Sequence, residues 1–163
     1  MTTRGGVTCK VCAIIALVVF VVVVGAGAFL LLYAPKAGKI SEKIASDSVT
    51  AIYYEEGKTE YSTNINKMIS FINENFSTKY EIKEVVEFYS KDLDPEDEKY
   101  VEGYLFYLDS VGSSFKLFSE YIKYIRNTES DAASQLVTHF SPRGKILFVG
   151  NVNAEIEFRR IIF

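Results

Sequence analysis

The chain has one histidine, two cysteines and no tryptophan among 163 residues. Both thiols, Cys9 and Cys12, stand near the N-terminus and none is left for the rest of the chain, which excludes a disulfide-stapled scaffold. The Cys9-Lys10-Val11-Cys12 spacing is that of a metal or redox pair, but a metal needs further ligands and the chain offers one histidine and no third cysteine. The two thiols read as membrane-boundary residues, with acylation as their functional alternative. An excess of basic charge is also missing. The formal net charge is −3, acids outnumber bases after the first tenth of the chain, and no basic stripe is visible, which argues against nucleic acid as a partner.

Catalytic patterns are scarce as well. His139 would need a nearby nucleophile and an orienting acid, and the neighbouring Ser134 and Ser141 sit in no nucleophile motif. The acidic run 92–98 (Asp92, Asp94, Glu96, Asp97, Glu98) carries Pro95 in mid-loop, has no glycine at a bend and misses the calcium-loop spacing, so it reads as a solvated turn. No glycine-rich phosphate loop exists, since Gly5-Gly6 and Gly25-Ala26-Gly27 belong to the N-terminal head and the apolar run after it. The expectation is a protein that is not an enzyme and takes no cofactor and no metal.

A long uncharged run is present. Residues 11–33 contain no charge, and fifteen of them are Val, Ile, Leu or Phe, with Ile14, Leu17, Phe20, Val23, Phe29 and Leu32 spread along the run. As a helix the run reaches about 35 Å, slightly more than the hydrocarbon thickness of a bilayer. Its insertion is favoured by about 5 kcal/mol, and in lipid the backbone can satisfy itself only as a helix. Tyr33 falls where an interfacial aromatic belongs, and Pro35 ends the segment. Ala26-Gly27-Ala28 resembles a signal cleavage site, but Phe29-Leu30-Leu31-Leu32 carries the run past it. Gly5-Gly6 after a basic residue is the mark of a prepilin-like leader, although the early glutamate of such helices is absent. The sequence thus divides into a head (1–10), a single transmembrane helix (11–33), a linker or stalk (34–47) and a domain (48–163).

The domain holds most of the 11 tyrosines and 12 phenylalanines, which argues for a packed core. Strands are expected at 48–55, 80–90, 100–108, 145–149 and 154–163. Helices are expected at 39–47 as a stalk, from Ile40 and Ile44 four apart, at 62–76 with Ser62 or Thr63 as cap, at 115–126 with Ser113 or Ser114 as cap, and at 131–140 with Ser130 as cap. The pattern is α+β, with a mostly antiparallel sheet and two or three helices on one face; a split β-α-β arrangement is one topology of that kind. Tyr53, Tyr54, Tyr104, Phe106 and Tyr107 lie in strands with aromatics on both faces, which leaves one face for a partner.

These features describe a non-enzymatic structural or interaction protein, tethered by one helix and docking other proteins at a membrane, as accessory subunits of membrane complexes and membrane-linked virion proteins do. Its partners are the lipid bilayer and other proteins of a membrane-associated assembly, and the sequence does not fix its oligomeric state. The alternatives are a pilin-like filament subunit with a processed leader, and a membrane-tethered enzyme or ligand carrier. The ten-residue head favours an N-terminus in the cytoplasm with the domain on the opposite side. The triplet Asn75-Phe76-Ser77 is a glycosylation acceptor pattern that reports on that orientation.

Overall fold

The computed structural model describes residues 17–25, 28, 35–76, 78–128 and 139–162. The chain divides into two units, residues 1–33 and 34–163. Of the first, residues 17–25 and Ala28 are described. They are helical, and Leu17 through Val24 expose their apolar side chains. Among the described residues no helix is long and apolar enough to cross a membrane. Most of the 11–33 run, including Ile14, Phe29, Leu32 and Tyr33, lies outside the described residues.

The second unit is built on an antiparallel five-stranded sheet. Its strands are β1 (Val49–Glu55), β2 (Ile82–Ser90), β3 (Glu102–Leu108), β4 (His139–Arg143) and β5 (Ile146–Gly150), in the order β1-β2-β3-β5-β4. The register pairs Tyr53 with Val86, Val86 with Leu105, and Leu105 with Phe148. β2, β3 and β5 are central because they are apolar on both faces. Val85 and Val86 are both fully buried, as are Leu105 and Phe106, and Leu147 and Phe148. The β4–β5 hairpin turns through Gly144 at φ 55°, a left-handed conformation that a glycine adopts without a Cβ clash.

Four helices among the described residues of this unit cover both faces of the sheet: α1 (Ala37–Ile44), α2 (Thr63–Asn75), α3 (Val111–Thr128) and α4 (Val152–Ile162). On one face α1 and α4 lie side by side, and Ala37, Ile40, Ala154 and Phe158 pack on Val86, Phe88, Leu105 and Phe148. On the other, Ile65 and Ile72 of α2 and Leu117 and Tyr121 of α3 pack on Val85, Tyr104, Phe106 and Leu147. Each such fully buried aliphatic or aromatic side chain contributes about 1.5–3 kcal/mol of transfer free energy.

Several expectations are corrected here. The sheet is sandwiched between helices rather than covered on one face, and its 1-2-3-5-4 order is a meander ending in a hairpin, not a split β-α-β unit. The segment expected as a helical stalk is helical, as α1, but it is not a free stalk: Ala37, Ile40 and Ile44 recur at helical spacing and are buried against the sheet. The final segment, expected as a strand, is α4. Asn151 caps it by accepting the Ala154 N–H at 2.9 Å, and its inward residues Ala154, Phe158 and Ile161 recur at four and three. The helix expected at 131–140 lies outside the described residues up to 138, and its last two residues belong to β4. α3 starts earlier than expected. The Ser110 hydroxyl, rather than Ser113 or Ser114, holds its first turn by accepting the Ser113 N–H at 3.1 Å.

The cap of α2 is Ser62, as its position before the apolar run requires. Its Oγ accepts the Ile65 N–H at 3.3 Å and donates to Glu87 Oε1 at 3.2 Å. Ser62→Ala removes a cap and one of the partners of a buried carboxylate. Its expected cost is about 1–2 kcal/mol, read as a lower urea midpoint with unchanged slope. An unaltered midpoint would mean that the cap contributes nothing.

Candidate functional site

Between α2 and α3 the described residues leave an apolar cavity of about 260 Å³ over the sheet. Its floor is Phe106 of β3, Val149 of β5 and Phe140 of β4. Met68, Phe71 and Ile72 form the α2 wall, Tyr121, Tyr124 and Ile125 form the α3 wall, and Lys67 stands at the rim. Helical spacing places these side chains. Met68 and Ile72 are four apart, as are Tyr121 and Ile125, so each helix turns one edge of its apolar stripe toward the gap. The walls are braced by rings. Phe71, Phe76 and Tyr124 meet edge to face at centroid distances of 5.3 to 6.1 Å, and Tyr121 stacks on Phe140 at 3.8 Å.

Among the described residues the lining has no carboxylate and no histidine. The cavity can accept an apolar or aromatic group, with the Lys67 ammonium available at the mouth to an anionic one. A more open hollow of about 390 Å³ has a mixed lining, with Glu56, Asn73 and Lys79 beside Tyr61, Ile69 and Tyr80, and its Tyr80 hydroxyl is already committed to Glu120 Oε2 at 2.8 Å.

Beside the N-terminus of α2 lies a polar cluster within the same layer. Glu87 is only 6% exposed, and its two oxygens accept from Tyr54 Oη at 2.9 Å and from Ser62 Oγ. Tyr104 Oη donates to Glu102 Oε1 at 2.7 Å and accepts from Asn64 Nδ2 at 3.4 Å. Burial, then the bond to Glu87, pushes the Tyr54 phenol up to about 12. Burial, then Glu102, raises Tyr104. On the opposite face Tyr53 Oη donates to Glu84 Oε1 at 2.6 Å, and that bond, more than burial, raises its pKa. These phenols are locked to carboxylates and held neutral, so they act as structural donors rather than as proton carriers.

The strand aromatics offered by the sequence as a partner surface are therefore placed inside the domain. Tyr54, Tyr104, Phe106 and Tyr107 are buried under the helices, and Tyr53 is half-buried. Of the five, Phe106 reaches the cavity, as part of its floor. Asn75 is exposed as the last residue of α2, with its Nδ2 donating to the Phe71 carbonyl at 2.9 Å, while Phe76 of the same triplet is buried. Cys9 and Cys12 lie outside the described residues, as does the His139 side chain. In the acidic turn the carboxylates cap backbone. Asp94 Oδ1 accepts the Glu96 N–H at 3.1 Å and Asp97 Oδ1 the Lys99 N–H at 2.8 Å. No cluster among the described residues could hold a metal ion. The cavity's walls were missed by the sequence reading because they come from helices about fifty residues apart. The available signal was the width of the apolar stripe on each helix.

No known protein family, curated protein or solved structure matches this chain.

Proposed function

We propose that the chain is a non-enzymatic, membrane-anchored interaction protein. The 11–33 run crosses a bilayer once, and the domain docks another protein by taking an apolar or aromatic side chain of that partner into the cavity between α2 and α3. The observation that carries this reading is the lining itself. Methionine, tyrosine, phenylalanine and isoleucine around an open gap are the residues of protein-binding hot spots, and a gap between two helices suits the apolar face of a third. An enzyme or carrier would need convergent polar groups, and the described lining residues supply the Lys67 ammonium and the hydroxyls of Tyr121 and Tyr124 among otherwise apolar side chains. The anchor rests on the length and lack of charge of the run. The head remains cytoplasmic and the domain lies on the opposite side, where Asn75 would be glycosylated in a host that modifies such triplets.

The test uses the full chain in its native membrane with a photo-crosslinking residue at Met68 or Ile125, and at the exposed Glu96 as control. The expected result is a discrete protein adduct from both cavity positions and none from Glu96, with the chain retained in the membrane after alkaline washing. Washing off would remove the anchor. Absence of an adduct from both cavity positions would remove the docking site.

A further inference from the structure

We propose that the free edge of β1 is a self-association surface, on which a second copy of this chain lays its own β1 antiparallel and centred on Ile52, so that two sheets join across a two-fold axis. The proposal goes beyond the docking cavity and depends on neither that cavity nor the anchor.

The first observation is the backbone of the two sheet edges. The Lys91 N–H donates to the Ser48 carbonyl and the Glu56 N–H to the Lys83 carbonyl, so the even-numbered residues of β1 bond to β2 and the odd-numbered ones turn N–H and C=O outward. At the ends of the strand the outward groups are occupied. Ser46 Oγ accepts the Val49 N–H, the Ser46 N–H donates to the Val49 carbonyl, and the Lys58 and Thr59 N–H groups donate to the Glu55 carbonyl. In the middle, the outward groups of Ala51 and Tyr53 have no partner among the described residues. The opposite edge is blunted. The Leu108 N–H donates to the Lys145 carbonyl, so the odd-numbered residues of β5 bond to β3 and the even-numbered ones to β4. β4 then turns outward the backbone of Phe140 and Pro142, and a proline has no N–H to offer. A sheet that is open at one edge and blocked by proline at the other pairs once and stops, which gives a closed dimer rather than a filament.

The second observation assigns the occupant. A register centred on Ile52 maps the whole strand, Val49–Glu55, onto itself. Ala51 then meets Tyr53 of the second copy as a hydrogen-bonded pair, each N–H donating to the other carbonyl, and the two-fold axis repeats the pair. Ile52 meets Ile52 of the second copy as a non-hydrogen-bonded pair with Cα atoms about 4.5 Å apart. The side chains brought together are half-buried and sorted by face. Ala51 and Tyr53 belong to the α1–α4 side and Ile52 to the α2–α3 side, so the pairing extends both apolar layers. The charges agree as well. Glu55 falls opposite Val49, and Lys58 falls opposite Ser46, next to Asp47, which has no ion-pair partner among the described residues. Glu56 falls opposite Ser48, next to Lys91, and no two like charges stand directly opposite. An unrelated extended peptide would bond to the same backbone groups without using this match.

The third observation is room. α1 runs antiparallel to β1 and packs over β1 and β2, so joining the edges brings it beside its counterpart at about the 8–10 Å at which helices pack. Ala37, Ile40 and Ile44 face the sheet, which gathers Gly38, Ser41 and Ala45 on one flank of the helix. Ala51 faces this layer with its backbone groups outward, and for L-residues that geometry puts the flank on the side of the free edge. The flank is made of small residues, and a Cβ at Gly38 would meet nothing within 4 Å.

The test uses the full chain with Cys9→Ser and Cys12→Ser, in its native membrane and purified in detergent, under mild oxidation. Ile52→Cys places two thiols across the axis at a separation that a disulfide spans, whereas Thr50→Cys places them about 14 Å apart in the same dimer. At least about tenfold more covalent dimer is expected from Ile52→Cys than from Thr50→Cys. Adding Ala51→Pro, which removes an outward N–H and leaves the bonds to β2 in place, should abolish the Ile52→Cys dimer while the near-ultraviolet circular dichroism is kept. The comparison of Ile52→Cys with Thr50→Cys decides the register whether or not the proline variant folds. No dimer from Ile52→Cys, or equal yields at both positions, overturns the proposal. So does a folded Ala51→Pro variant that still cross-links, or an Ile52→Cys adduct in the native membrane with a different protein in place of a second copy.

Discussion

Phe148→Ala is expected to destabilise the domain by about 3–5 kcal/mol, a large share of the roughly 5–15 kcal/mol that a domain of this size has in total. Phe148 is fully buried. Its ring stacks on Phe158 at 5.0 Å and 8°, joining β5 to α4, and lies 6.5 Å from the Phe88 ring of β2. Two glycines make room for this cluster. A Cβ on Gly150 would stand 2.8 Å from Phe148 Cζ, and one on Gly103 would collide with the Phe88 ring and come within 2.9 Å of the Ala154 Cβ. With no side chains on those glycines to fill the space, the cavity left by the substitution cannot collapse. Urea unfolding of the full chain in detergent, followed by near-ultraviolet circular dichroism, gives the measure. Phe115→Ala, at a ring 44% exposed, should fall within about 0.5 kcal/mol of the native chain. A loss below about 1 kcal/mol for Phe148→Ala would show that the ring cluster does not hold the α4 layer to the sheet.

The elements that could be read in the sequence are those whose signals are local. β1, β2 and β3 carry β-branched and aromatic runs bounded by Gly57, the acidic turn and Ser110, and they form within two residues of the expected bounds. α2 announces itself through Ser62 and the spacing of Ile65, Met68, Ile69 and Ile72. α4 was obscured because Ile156 and Phe158 alternate like a strand. The decisive signals were Asn151 as cap and the Glu155–Arg159 pair at four residues, one helical turn apart. β4 was obscured by Pro142, which belongs on an edge strand and reads as a breaker. The burial of both sheet faces was legible in principle, since Val85-Val86 and Leu105-Phe106 leave no polar side to face water. The cavity was not, because its outline depends on how far apart α2 and α3 sit, and no local pattern encodes that distance.

Alkaline unfolding between about pH 10 and pH 12 is the other large expected effect. An unfolded tyrosine ionises near pH 10, whereas Tyr54 and Tyr80 are each pushed up to about 12, mainly by burial and then by their bonds to Glu87 and Glu120. Tyr104 and Tyr107 are raised too, burial first. Below pH 10 both states keep the phenolic proton, so the full stability is present. Above it the unfolded chain gains by ionising while the native phenols cannot, and each such tyrosine lowers stability by up to about 1.4 kcal/mol per pH unit. By pH 12 Tyr54 alone contributes a loss of about 2–3 kcal/mol. Tyr80, half-buried, contributes less, and the buried Tyr104 and Tyr107 add to the same trend. Together these losses reach at least the lower end of the roughly 5–15 kcal/mol that a domain has in total. The phenolate absorbance at 295 nm should therefore lag behind that of an unfolded chain above pH 10 and rise steeply as the near-ultraviolet signal collapses and the buried tyrosines are released together. Tyr54→Phe separates the two effects. It leaves Glu87 without its buried donor and should cost about 1–2 kcal/mol at pH 7, yet it should make the decline above pH 10 shallower, because one late-titrating proton has been removed. Titration of all eleven tyrosines in one step near pH 10 with the fold intact would contradict the buried Tyr–Glu pairs on which the cluster beside α2 is built.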